Sequence, residues 1–170
     1  MDVRRVDDEA GMADAFAVRR AVFVEEQDVP EELELDGNDE AATQFVAYDD
    51  GRPVGTARLR SDDETTAKAE RVAVLSDERG RGIGRRLMAA VEAHAVDAGC
   101  EAVVLHAQMP VVGFYEELGY ATTSDVFEDA GIPHREMRKG LSERHCLDKR
   151  RRPGPLTSDG TSEGADRSPE

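Results

Sequence analysis

The sequence predicts one domain of the α+β or α/β class, a mixed sheet with flanking helices and a βαβ crossover. Three observations carry this reading. Segments 43–49, 54–60 and 66–75 have strand-like patterns and are separated by turn chemistry at Asp50-Gly51-Arg52-Pro53 and at Ser61–Thr65. The third of these ends in the apolar run Val72-Ala73-Val74-Leu75. It passes through a glycine-punctuated turn into a helix with Ile83, Leu87, Val91, His94/Ala95 and Ala98 on one side. A further apolar strand, Ala102–Ala107, follows that helix.

The remaining elements fit around this centre. Residues 2–7 read as an opening edge strand, and 9–24 as a helix with Met12, Phe16, Arg19 or Val22, and Phe23 on one side. Residues 25–40 carry nine acids and read either as a solvated acidic loop or as a loop that attracts a cationic amine. Gly55 is a candidate bulge. Pro110 suits the first turn of a second helix, whose apolar side is Val111, Phe114, Tyr115 and Leu118 and which Gly119 closes. A strand from Tyr120 through Phe127 and a closing strand around His134 complete a domain over 1–140. Segment 141–170, rich in Pro, Gly and Ser, reads as a disordered tail, and Lys149–Arg152 as a solvated linker or a binding tail.

Composition narrows the function. The 170 residues hold 22 Lys and Arg against 37 Asp and Glu, a net charge of −15, which argues against nucleic acid as the main partner. Acids spread along the whole chain resemble the surface of a halophilic protein. No apolar run reaches the ~18 residues of a membrane span, and no signal-peptide core is present, so no membrane is expected. Cys100 and Cys146 form no disulfide or zinc pattern, which sets a cytoplasmic, reduced environment as the expectation. No two of the four histidines make a metal-ligand pair, so no metal is expected.

The turn Arg79-Gly80-Arg81-Gly82-Ile83-Gly84 is the principal candidate site. Its glycines permit positive φ and let a ligand approach the backbone, and the positive end of the following helix points into it. Such a turn suits a phosphate. Arg79, Arg81, Arg85 and Arg86 lie within eight residues that carry no acid, and cations at a helix N-terminus are unfavourable unless an anion joins them. The alternative is a solvated basic helix start. Arg85 stands where a dinucleotide fingerprint needs glycine, and no triphosphate loop of the G-x-x-x-x-G-K-[ST] type occurs.

These residues resemble the acyl-CoA pyrophosphate loop, Q/R-x-x-G-x-G/A, of the GCN5-related N-acetyltransferases (GNAT). GFYEELGY at 113–120 resembles that family's helix-to-strand junction. The frame from Arg19 to Pro30 with Glu34, Asp36 and Asp39, together with LHAQ and GIPH, is similar to its ElaA-like subgroup. The resemblance spans roughly residues 3–139. It implies a mixed, mostly antiparallel sheet splayed around coenzyme A, with acetyl-CoA and an amine acceptor as partners. Val72, Ala73 and Val74 would meet the pantetheine arm, and Arg79, Gly80, Arg81, Gly82, Ile83, Gly84 and Arg85 the diphosphate. Tyr115, otherwise a core aromatic, would protonate the departing thiolate, since phenol and thiol pKa values lie within ~2 units. Glu70 is the candidate base, or else an exposed strand-end acid. Glu26, His106 and His134 are alternatives that would touch substrate, or else ordinary structural residues. Relatives often place Asn in the segment corresponding to QMPVVGFY. Here Gln108 stands in for it or the contact is missing. The rival function is a non-catalytic acyl-CoA sensor, and a free strand edge near the C-terminal hairpin would allow a homodimer.

Overall fold

A computed structural model describes residues 1–141, so the expectations for the tail and its basic run lie outside the described residues. Strand β1 (Asp2–Arg5) leads to helix α1 (Glu9–Arg19), which Asp8 caps by accepting the Gly11 amide at 2.8 Å. The helix continues not as α-helix to Val24 but as a π-helical stretch, Arg20–Glu26, closed by the Gln27 amide on the Val22 carbonyl at 3.1 Å. Helix α2 (Glu31–Glu34) follows, and then β2 (Thr43–Asp49), β3 (Arg52–Ser61) and β4 (Thr66–Val74). Helix α3 (Ile83–Asp97), β5 (Ala102–Gln108), α4 (Val112–Glu117), β6 (Ala121–Thr122), β7 (Phe127–Asp129) and β8 (Ile132–Gly140) complete the order.

The sheet runs β1-β2-β3-β4-β5-β8-β6 with β7 on β8, and among the described residues its only parallel pair is β4 with β5. Asp50 and Gly51 both have positive φ, 56° and 78°, as a two-residue hairpin turn requires. The bulge expected at Gly55 lies next to it: the β2–β3 register slips between Ala47 and Tyr48, leaving Val54 as the extra residue. Gly55 itself is a packing site, because an added Cβ would come within 2.9 Å of Ile83 and 3.0 Å of Leu87. Its absent side chain lets α3 sit directly on the sheet, where Ile83, Leu87, Met88, Val91 and Ala95 join Phe45, Val54, Leu105 and Met137 in the core. Leu141 is buried too, 3% exposed, so the domain reaches one residue beyond the expected boundary.

The strand expected from Tyr120 to Phe127 is broken into β6 and β7. Between them Ser124 Oγ accepts the Glu136 amide at 2.9 Å, which substitutes for ladder pairing. At the end of α4, Gly119 (φ 103°) forms a Schellman closure with the Tyr120 amide on the Tyr115 carbonyl at 3.0 Å. Among the described residues no helix is long and apolar enough to cross a membrane.

The acidic stretch is not simply a solvated loop. Arg19 and Arg58 have fully buried side chains. Arg19 donates to Glu34 and to Asp39, each at 2.6 Å; Arg58 donates to Asp36 at 2.9 Å, to Asp39 at 3.0 Å and to Glu70. A buried guanidinium is tolerable only when its donors meet carboxylates, and these carboxylates come from the loop. The loop is thereby fixed against β3 and β4.

Two outcomes follow for stability. Replacing Arg58 with Met takes one arginine partner from each of three carboxylates, Asp36, Asp39 and Glu70, and is expected to cost roughly 3–5 kcal/mol in urea unfolding at neutral pH. Hydrogen bonds from Arg58 hold Asp36 low. Burial raises Asp39 and Glu70, but their arginine partners outweigh it and both end below the usual carboxylate range. A lowered folded-state pKa gives stability that is present above the unfolded value and lost as pH falls through the folded one. Wild-type stability is therefore expected to hold above about pH 5 and to fall towards pH 2, and the gap between wild type and Arg58→Met to narrow at pH 3. A gap that stays constant with pH would mean that the arginine acts through packing alone.

Candidate active site

Ala69 and Leu105 are the last paired residues of β4 and β5. Beyond them β4 continues to Val74 along β3, and β5 continues to Gln108 along β8, so the two strands diverge. A cavity of about 620 Å³ opens in this wedge and takes in Glu70–Val74 from one side and Leu105–Gln108 from the other. Val22, Phe23, Gln27 and Leu33 cover it from the π-helical stretch and α2, and Phe114 and Tyr115 wall it from α4.

Arg71, with φ 54°, is the irregular point of β4. A non-glycine residue seldom adopts this conformation, and here it coincides with a register slip against β3 between Thr56 and Arg58. Its guanidinium pairs with Glu34 at 3.2 Å and Asp36 at 3.1 Å, which ties the bend to the acidic loop. Nothing in the sequence marks Arg71, since neither the bend nor these partners is local.

The candidate residues separate into groups. Glu70, Val72, Ala73, Val74, Arg79, His106, His134 and Tyr115 all line the cavity. Gly80, Arg81, Gly82, Ile83, Gly84 and Arg85 lie past its Arg79 end, where β4 passes through a turn at Ser76–Glu78 into α3. Gly80 and Gly82 have φ 83° and 81°, and a Cβ at either would meet nothing within 4 Å, so the backbone there is accessible. The N-cap residue of α3 is Gly82, which has no side chain with which to cap the helix. Ile83 and Gly84 are buried and pack the helix start against the sheet. Arg81 reaches Asp49 at 3.0 Å and also Glu78.

Two expectations change. Glu26 does not line the cavity; the π-helical stretch turns it towards Arg79, which donates to its two oxygens at 2.8 and 2.7 Å. Glu70 lines the cavity, but Arg58 and Arg60 occupy its oxygens. Burial raises its pKa, yet the bonds from Arg60 and Arg58 bring it down to about 2. A carboxylate held so firmly ionised is a poor proton acceptor. The same π-helical stretch sends Gln27 across the cavity to accept from Gln108 Nε2 at 2.8 Å. The helical period gave no hint of this crossing, because i+5 and i+4 bonding look alike in a short apolar pattern.

Side-chain alternation and register place Glu70, His106, Gln108 and His134 on one sheet face, opposite the core residues Leu105 and Met137. Phe127 stands between the histidines: His106 meets it edge-on at 5.0 Å, and His134 stacks on it at 6.0 Å. Burial lowers the His106 pKa, helped by the Lys68 charge. Tyr115 is 6% exposed and meets Phe114 and Tyr120 edge-on at 4.9 and 5.8 Å.

Comparison with known proteins agrees with this geometry. The sequence model of the Acetyltransferase (GNAT) domain matches residues 7–141. The Bacillus subtilis protein named "Uncharacterized N-acetyltransferase YjcF" is 43% identical over 132 residues, 77% of this chain and 94% of that protein. The crystal structure of Escherichia coli ElaA superposes with a TM-score of 0.73 at 26% identity, covering 81% of this chain and 98% of that one. An aminoglycoside 6′-N-acetyltransferase solved with coenzyme A shares the fold at a TM-score of 0.68 and 17% identity, over 85% and 99% of the two chains. A wedge between diverging central strands, an open glycine turn at a helix start and a family match over nearly the whole described domain lead to one conclusion: this chain belongs to the GNAT acetyltransferase family.

Proposed function

We propose that this chain transfers the acetyl group of acetyl-CoA to a primary amine of a small molecule or protein, by direct attack within a ternary complex. The observation that carries the proposal is the wedge itself. It exposes the edges of β4 and β5 to a cavity that has Tyr115 in its wall and an open glycine turn at its end. An extended pantetheine arm can pair with the backbone of Val72, Ala73 and Val74 as a partner strand would. Gly80, Gly82 and the amides at the start of α3 suit a diphosphate, with Arg79, Arg81 and Arg85 supplying charge. The Glu26 carboxylate already seats an anion on Arg79, and a diphosphate carries more charge to compete for it. Coenzyme A in the related aminoglycoside enzyme supports this choice of ligand.

A thioester is already activated, so the protein's tasks are to position an amine, stabilise charge on the carbonyl oxygen and manage protons. Tyr115 gives its phenolic proton to the departing sulfur. In the acidic loop Glu34, Asp36 and Asp39 are committed to arginines, so these three carboxylates do not serve to attract a cationic acceptor.

The direct test is to incubate the protein with acetyl-CoA and a panel of polyamines, aminosugars and lysine peptides while following free thiol. Turnover of one amine is the expected result. Tyr115→Phe is then expected to lose at least about tenfold in turnover with coenzyme A affinity little changed, whereas a non-catalytic sensor would bind coenzyme A and turn over nothing. Gly82→Val, placed at φ 81° beside the turn, is expected to weaken coenzyme A binding in calorimetry at least about tenfold, because valine strains that backbone and covers its amides. Undiminished binding by Gly82→Val would remove the diphosphate from this turn.

A further inference from the structure

With Glu70 held by arginines and Glu26 held by Arg79, neither carboxylate serves to take the amine's proton. We infer that the base is His134, acting through Nε2, with its tautomer set by a backbone carbonyl. The inference rests on the acetyl-transfer reading above. His134 Nδ1 lies 2.6 Å from the Ile132 carbonyl oxygen. That oxygen can only accept, so Nδ1 carries the proton and the lone pair of the neutral ring is on Nε2. The ring is fixed in this orientation by three further features. Its register opposite Gln108 sets its height in the wedge, Phe127 stacks on its face, and Pro133 stiffens the chain between the histidine and the carbonyl that holds it. It is 8% exposed and lines the cavity, so the ring is packed by its neighbours and still borders the space open to a ligand. The charged groups around this end of the cavity are Lys68, Glu70 and Arg71 from β4, Glu34 from α2, Asp129 at the end of β7 and Glu136 on β8, with His106 as the neighbouring imidazole. Arginines occupy Glu70 and Glu34, Glu136 does not line the cavity, and of the lining groups that remain His134 is the one whose ring is oriented by a backbone carbonyl.

The step balances. His134 Nε2 takes a proton from the attacking nitrogen as the carbon–nitrogen bond forms and the carbon–sulfur bond breaks. Tyr115 gives a proton to sulfur. Solvent then takes one proton from His134 and returns one to Tyr115, so that amine and thioester become amide and thiol.

The experiment has two arms. In the unmodified protein at pH 7.5, long-range nitrogen–proton correlation spectra are expected to show His134 as the Nδ1–H tautomer; an Nε2–H tautomer would overturn the inference even if no acceptor were found. In the second arm, an amine that the wild type acetylates is given to His134→Ala and His106→Ala, with thermal melting to confirm that each is folded. His134→Ala is expected to lose at least about a hundredfold in kcat, the usual worth of a general base, and to recover part of it with added imidazole. Wild-type turnover by His134→Ala, or imidazole rescue confined to His106→Ala, would assign the base elsewhere. Absence of any wild-type turnover would instead count against the acetyl-transfer reading itself and leave the tautomer measurement to decide the inference.

Discussion

The structure depends on one interruption of backbone pairing. Two parallel strands run side by side from Thr66 and Ala102 to Ala69 and Leu105 and then separate. Strand edges inside a domain are normally paired, because unmet amides and carbonyls are costly away from water. A wedge of this kind persists only where each strand is held from its outer side, as β4 is by β3 and β5 by β8. The bend at Arg71 contributes by turning β4 away from its parallel neighbour.

The buried arginines explain both the bend and the acidic composition around it. Arg19 from α1 and Arg58 from β3 have no exposed surface, and Arg71 lies beside them. Their carboxylates arrive from a segment that sequence composition alone would leave in solvent. The resulting network joins α1, the 34–39 segment, β3 and β4 around the cavity wall, so the charge in that segment does structural work first. Such a network is stable as a whole and fragile to the loss of any member.

Much of this was legible in the chain. The strand–turn–helix from Val72 to Ala98 was, because apolar period, glycine placement and clustered arginines are all local signals. The β2–β3 hairpin was legible from Asp50-Gly51, and the helix-to-strand junction from Gly119. The π-helical stretch was not, since its i+5 bonding leaves no distinct mark in seven residues. Nor was the pairing of Arg19 with Glu34 or of Arg71 with Asp36, because the partners lie 15 and 35 residues apart. Glu70 illustrates the limit most clearly. Its position near the wedge was readable, but its arginine partners, which make it a poor base, come from the neighbouring strand.

What unites these features is a division of labour. Long-range ion pairs and the α3 core hold the wedge open, and residues projecting into it are left to meet a ligand. Hydrogen–deuterium exchange across the domain, with and without acetyl-CoA, tests this most directly. The account predicts that the ligand slows exchange at Val72–Val74 and Gly80–Gly84 together, while the buried amides of α3 change little. Unchanged exchange in both segments at saturating ligand would contradict it.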